Sequence, residues 1–353
     1  MFLNRFKMIF HERKAENMAV RIKDIARKAN VSEATVSLAL NNNPLVNEET
    51  AKTIKRIARE MGYTPNPYAR RLVLKKSNTL GVVVPDIENV FYASFVHYLN
   101  LCCRETNYSL SIFISGNRPE REEKIAEDLI AMQAEGVIYI PVNVPNKNMD
   151  QVQKLQAAGI PVICATTAFG TLPSVMCDLE NGMFLLVSHM LQKGYRKIAY
   201  ISGPRNVYAL DLRERGLRSA LQSFQIESGK VPLFFMEAVT YQCACNAAEQ
   251  ILEKYRGKIN GIICVNDIMA LGVINTLKQH NIRIPEEIAV AGFDDSIFSV
   301  TSPVPITTVR QNVSEIAEKS LQKLLSLIDT GEAQQTLLKE IIPVELITRA
   351  STE

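Results

Sequence analysis

The stretch VSEATVSLALNNNPLVNEET, from Val31 to Thr50, carries closely spaced hydroxyl and amide side chains and no lysine or arginine. Hydroxyls, amides and backbone N–H groups at helix starts can hold phosphate oxygens. Small outward side chains let a helix approach the edges of bases. Ser32 stands where it can cap EATVSLAL as a helix. Val31, Val36 and Leu40 can then pack inward, which turns Glu33, Ala34, Ser37 and Leu38 outward. Basic sequence flanks the stretch on both sides. From Val20 to Lys76 there are twelve Lys/Arg against five Asp/Glu, although the whole chain of 353 residues carries only +3, so everything after Lys76 is net acidic. A basic front on a mildly acidic body points to a polyanion partner for the front alone.

The neighbouring elements fit that use. Ile22, Ile25, Ala26 and Ala29 form one helical stripe. Asn30 follows, and asparagine tolerates the positive φ of a sharp corner between helices. Asn47 is a good N-cap for a third helix, with Glu48 and Glu49 near its positive end. That helix buries Ile54, Ile57, Ala58 and Met61 and stops at Gly62. In GYTPNPYARRLVLKKS, Asn66 and Pro67 read as a cap and first residue of a further helix, Tyr68 to about Leu74. So short a helix is marginal in water and needs something to hold it.

Other chemistries lack their residues. No GxxxxGKS or GxGxxG follows a strand-like run, no HExxH or GxSxG occurs, and His11, His97, His189 and His280 are isolated. The seven cysteines include no CxxC pair and read as free thiols. No enzyme activity, cofactor or metal is expected. No apolar run approaches a membrane span, and residues 1–19 look like a disordered or untranslated leader, with Met18 a possible start. A cytoplasmic protein is expected.

From Thr79 the pattern changes. TLGVVVPD, YSLSIFIS, GVIYIPV, IPVICAT, KIAYISG, GIICV and IAVAGFDD are short β-branched runs, separated by helical stretches such as Arg118–Ala134, Met149–Ala158, Asn181–Lys193 and Asp267–His280. Such alternation predicts βα units and parallel sheets, and the number of strands predicts two of them.

The segment RIKDIARKANVSEATVSLALNNNPLVNEETAKTIKRIAREMGYTPNPYARRL resembles, without gaps, the headpiece and hinge of the LacI/GalR family of bacterial transcription regulators. The resemblance implies a near-palindromic double-stranded operator and a homodimer or larger assembly. It places Glu33, Ala34 and Leu38 at base-reading positions with Ser37 close by. Ser32, Thr35, Asn41, Asn47 and Thr50 become phosphate or groove-edge contacts. It also implies a hinge that forms on DNA beside its twin, with Leu72 wedged into the minor groove and Ala69 next to it. Where the family often has arginine this chain has Leu38, and leucine cannot make the bidentate contact to guanine. Asn30 stands where glycine is usual.

Beyond the hinge, the resemblance is looser. It implies a periplasmic-binding-protein-like core of two Rossmann-like lobes joined by three crossovers, with a small polar effector in the cleft. The expected domains are a headpiece at 20–64, a hinge at 65–76 and a core at 77–353. The first lobe would take 77–177 and 309–336, the second 178–308 and 337–353. Ligands bind at the carboxyl ends of strands. Phe91 and Tyr92, Arg213 in RERG, and Asn266–Asp267 stand at such places and match effector positions of the family; Phe293, Asp294 and Asp295 read as structural. ATTAFG lacks the acidic residue often found there in the family. Arginine and aspartate suit sugar hydroxyls as well as other polar groups. The reading is a repressor under the control of a carbohydrate-like effector. Its rival is a solute-binding module without DNA function.

Overall fold

The computed structural model describes residues 20–41, 43–63, 77–142, 144, 149–330 and 339–353. The expected hinge at 65–76, with Ala69 and Leu72, and the leader at 1–19 lie outside them. The chain divides into two compact units, Met1–Lys75 and Lys76–Glu353.

The first unit has three helices, α1 (Ile22–Ala29), α2 (Glu33–Leu40) and α3 (Glu48–Glu60). Asn30 ends α1 at φ 53°, the left-handed corner that its side chain tolerates. The Ser32 hydroxyl accepts the Thr35 N–H at 3.1 Å and so caps α2. Asn47 caps α3 by accepting the Glu49 N–H at 2.9 Å. Ile25, Val36, Ala39 and Ile54 are fully buried at the centre, with Ala26, Ile57 and Ala58 around them. Val31 and Leu40 pack at the margin, and Ala39 takes the central place expected of Leu40. An alanine there lets three short helices close on one another.

The second unit holds two parallel sheets. One has the order β11-β5-β4-β3-β1-β2. Its strands are β1 (Thr79–Val84), β2 (Ser109–Ile114), β3 (Gly136–Tyr139), β4 (Val162–Ala165), β5 (Ser174–Cys177) and β11 (Lys339–Ile342). The other has the order β7-β6-β8-β9, from β6 (Ile198–Ser202), β7 (Leu233–Phe235), β8 (Gly261–Cys264) and β9 (Ala289–Ala291). The inner strands β1, β3, β4, β6 and β8 are buried along their whole length. That is why they are continuous apolar runs rather than alternating ones. The edge strands β2 and β11 expose some residues and hide others.

Helices α4 (Val90–Cys103), α5 (Pro119–Ala131), α6 (Asp150–Ala157), α7 (Leu179–Gln192), α8 (Tyr208–Ser223), α9 (Tyr241–Tyr255), α10 (Asp267–Gln279), α11 (Ile297–Thr301) and α12 (Val313–Thr330) are the α-helices of this unit among the described residues. The chain passes between the lobes after β5, again after β10 (Thr308–Arg310), and a third time between β11 and β12 (Glu345–Ile347). β10 and β12 pair antiparallel. The third passage comes later than expected. Residues from 337 were expected in the second lobe, but Lys339–Ile342 pairs with Ser174–Cys177 in the first sheet. KEII, an edge strand with polar residues, lacks the apolar run that marks the inner strands. No helix of the described residues is long and apolar enough to cross a membrane.

Candidate effector pocket and DNA-contact surface

Phe91 and Tyr92 open α4, where Asn89 caps the helix by accepting the Phe91 N–H at 3.1 Å. Their rings meet edge-on, with centroids 5.5 Å apart. Arg213 comes to the same place from α8. Gly216, three residues on, faces α7: a Cβ there would lie 2.1 Å from the Glu180 carbonyl oxygen. The glycine therefore lets α8 lie tight against α7 and sets the depth of Arg213. The Arg213 side chain is only 10% exposed. Its guanidinium carbon stands 4.4 Å from the centroid of the buried Phe293 ring. Nη2 donates to Asp294 Oδ1 at 3.2 Å, and Nε finds no acceptor among the described residues.

Asp294 sits at φ 108° in the turn after β9, and Asp295 follows at φ 52°. Both are unusual for residues with a Cβ and cost conformational energy that surrounding contacts must offset. Gln311 Nε2 donates to Asp294 Oδ1 at 2.7 Å, while Gln311 Oε1 accepts nothing among the described residues. Burial pushes the Asp294 carboxyl up to about 6, against the pull of Arg213 and Gln311. Asn266 caps α10 by accepting the Met269 N–H at 3.2 Å. Phe91, Tyr92, Arg213, Asn266, Asp294 and Gln311, with Thr166 and Thr167, line a cavity of about 60 Å³. Phe91, Asp294 and Gln311 also face an adjoining cavity of about 250 Å³.

The structure thus brings four of the five expected effector residues together and turns the fifth away. Asp267 is 1% exposed and lies outside both cavity walls. Its Oδ1 accepts from the Thr308 hydroxyl at 2.6 Å and its Oδ2 from the Ser296 N–H at 2.7 Å. Gly292 makes room for it, since a Cβ there would stand 2.4 Å from Asp267 Oδ1. Burial, then the neighbouring Asp294, raises the Asp267 carboxyl to about 8 in spite of those hydrogen bonds. That shift favours the protonated form of Asp267, while Asp294, hydrogen-bonded to Arg213, is the carboxylate placed to hold the charge opposite it. Asp294 and Gln311, which the sequence reading did not place at the cavity, stand in its wall. Asp294, read as structural, follows β9 much as Asn266 follows β8, at the carboxyl end of a strand. Gln311 had no such signal: it lies on the passage between the lobes.

Among the residues lining the cavity are a buried arginine, two amides and a carboxylate, beside two aromatic rings. Donors and acceptors interleaved next to apolar plates suit a ring bearing several hydroxyls. No cluster of three or more potential metal ligands occurs among the described residues.

On the first unit, α2 turns Glu33 and Ala34 into solvent, while Ser37 and Leu38 are half-buried. Ser32 and Asn47 are exposed; Thr35, Asn41 and Thr50 are half-buried. Several of these polar groups also hold the fold. Ser32 Oγ lies 2.8 Å from Thr35 Oγ1, and Asn41 Nδ2 donates to the Ser37 carbonyl at 2.9 Å. Their remaining lone pairs and N–H groups stay available on this surface. On α3, Lys52 pairs with Glu48 at 2.8 Å and Arg56 with Glu60 at 2.7 Å.

Residues 21–66 match the family model "Bacterial regulatory proteins, lacI family". Residues 187–352 match "Periplasmic binding protein-like domain". The probable HTH-type transcriptional repressor ExuR of Bacillus subtilis is 30% identical over 330 residues, 91% of this chain and 95% of that protein. Among solved structures, the lac repressor dimer bound to operator and the anti-inducer ONPF superposes with a TM-score of 0.83 at 24% identity, covering 95% of this chain and 99% of the other. The transcriptional regulator CelR in complex with cellobiose gives 0.70 at 23% identity, covering 94% and 99%.

Proposed function

Because the chain belongs to the lacI family of bacterial regulatory proteins, and is a DNA-binding transcriptional regulator, we propose that it is a repressor whose hold on a near-palindromic operator is set by a small sugar-like effector. The effector occupies the cavity walled by Phe91, Tyr92, Arg213, Asn266, Asp294 and Gln311. The observation that carries this reading is the pair of orphaned polar atoms on two of those wall residues, Arg213 Nε and Gln311 Oε1. A buried donor and a buried acceptor without partners cost stability, and a ligand that satisfies both recovers it. CelR, which shares the fold, was solved with cellobiose; that supports a carbohydrate as the first class to try.

The regulator works as a homodimer or larger assembly in the bacterial cytoplasm, each headpiece on one half of the operator. In this reading Ser32, Thr35, Asn41, Asn47 and Thr50 hold phosphates or groove edges, and Glu33, Ala34, Ser37 and Leu38 face the bases. Ala69 and Leu72, outside the described residues, belong to the segment that couples pocket to operator. The effector acts only through its different affinities for the DNA-bound and free states. A panel of neutral mono- and disaccharides, added to the full chain, tests the reading. A binding sugar raises the melting midpoint, by about 2.7 kcal/mol of stability at a hundred times its Kd, and shifts operator affinity. Stabilisation without any change in operator affinity refutes the coupling.

A further inference from the structure

The outward face of α2 is the place where this chain's choice of base is written. Burial of Val36 and Ala39, both fully buried, fixes the rotation of the helix about its axis. Glu33, Ala34, Ser37 and Leu38 are left on the opposite side, with Ala34 and Leu38 stacked one turn apart. The end of the helix is tied down beneath them. Asn41 Nδ2 donates to the Ser37 carbonyl at 2.9 Å, and the Asn43 N–H donates to the Leu38 carbonyl at 3.0 Å. α2 contains no lysine or arginine. It therefore has no side chain that can donate twice to the O6 and N7 acceptors of guanine, and Glu33 repels them. The strip Ala34–Leu38 offers only apolar surface. In the major groove of unmodified DNA the one apolar group on a base edge is the 5-methyl of thymine. A cytosine carrying a 5-methyl presents the same group in the same position.

We propose that Leu38, backed by Ala34, reads a pyrimidine 5-methyl group, so that operator affinity follows the methyl at that position whether thymine or 5-methylcytosine carries it. The inference rests on the reading of α2 as the helix that faces the bases. Loss of the methyl at one contacted pyrimidine removes about one methylene's worth of buried apolar surface, roughly fourfold in affinity, and about fifteenfold when both halves of a symmetric site lose it.

The test begins with selection of a preferred duplex from a random pool by the full-length protein. Each thymine of the selected half-site is then replaced singly by uracil, which removes the methyl and nothing else. At one position wild type should lose about fourfold, and Leu38→Ala should show no discrimination between thymine and uracil there. With cytosine at that position, 5-methylation should restore about fourfold to wild type. If the pool yields no preferred sequence, the reading of α2 itself fails. If a sequence is selected but every uracil replacement leaves wild-type affinity unchanged, or 5-methylcytosine binds no better than cytosine, α2 reads bases and the methyl inference is wrong. The uracil scan on wild type needs no variant, so it decides the matter even if Leu38→Ala folds poorly.

Discussion

The buried pair Arg213–Asp294 allows a prediction with an asymmetry in it. Both side chains are about nine-tenths buried and stand 3.2 Å apart. Breaking such a pair by removing one partner costs about 3–5 kcal/mol, because the other charge is stranded. The two partners differ in how they can escape. Arginine cannot shed its proton in a protein. Asp294 already titrates at about 6 beside Arg213, so without the arginine it takes up a proton and becomes neutral. Asp294→Asn should therefore incur the full cost, a fall in melting midpoint of roughly 6–20 °C for a core of this size. Arg213→Met should cost less at pH 7, since protonation of Asp294 limits the penalty. The double variant should lose less than the sum of the two, the stranded charge being gone. Thermal denaturation of the four proteins at pH 7, followed through the core transition, measures all three terms. Equal losses from the two single variants, or strict additivity in the double, would refute the account of Arg213 as a charge that Asp294 alone neutralises.

Further outcomes follow from the same geometry. Asp267 and Asp294 titrate at about 8 and about 6, both above the ordinary carboxylate value of 3.8. The folded state thus keeps protons that the unfolded chain releases, and their contribution to stability, complete below about pH 4, is lost as pH rises toward 8, at up to about 1.4 kcal/mol per pH unit per proton. Asp267→Asn removes the titrating carboxyl while keeping a similar shape and an oxygen for the Ser296 N–H, so the melting midpoint should fall less steeply between pH 6 and 9 than in wild type; parallel curves would sink this assignment. Leu72→Ala should weaken specific operator binding and reduce DNA bending in a gel-phasing assay while non-specific binding stays nearly unchanged, and intact bending would remove Leu72 as a wedge. Operator affinity should fall steeply between 50 and 200 mM salt, as phosphate contacts release counterions, and a flat response would argue against the basic headpiece as the DNA-binding unit.

What the sequence showed and what it hid have separable causes. Local signals came through wherever one residue decides a local conformation: Asn30 in its left-handed corner, Ser32 and Asn47 as caps. The inner strands came through because burial on both faces leaves an apolar run. Strands β7 and β11, short and at sheet edges, did not, and neither did β5, which is inner and buried but whose residues SVMC include a single β-branched one. In the pocket, Phe91, Tyr92, Arg213 and Asn266 were legible as residues at strand ends. Two carboxylates stand otherwise than expected relative to the cavity. Asp267 follows a cap at the start of a helix and looks exposed in sequence, yet it points inward. Asp294 lies in GFDD and looks structural, yet its turn at φ 108° sets it in the cavity wall. Which way a side chain faces at a strand end depends on backbone angles that no residue pattern encodes.

That exchange of roles says how the pocket could act at a distance. Asp267 holds the Ser296 N–H on one side and Thr308, the first residue of β10, on the other. One carboxyl thus braces both the loop that presents Asp294 and the strand that leads into the passage between the lobes. Gln311, the other partner of Asp294, stands one residue past β10 and two before α12. A ligand that takes the Gln311 oxygen or draws Arg213 away from Asp294 pulls directly on that passage, with no intervening layer of side chains. Loss of the Asp267 brace should therefore damage communication more than binding. In Asp267→Ala the effector should still bind within about tenfold of wild type by calorimetry, while its effect on operator affinity shrinks. An Asp267→Ala protein that binds the effector and still transmits it fully would show that the lobes are coupled by another of their three connections.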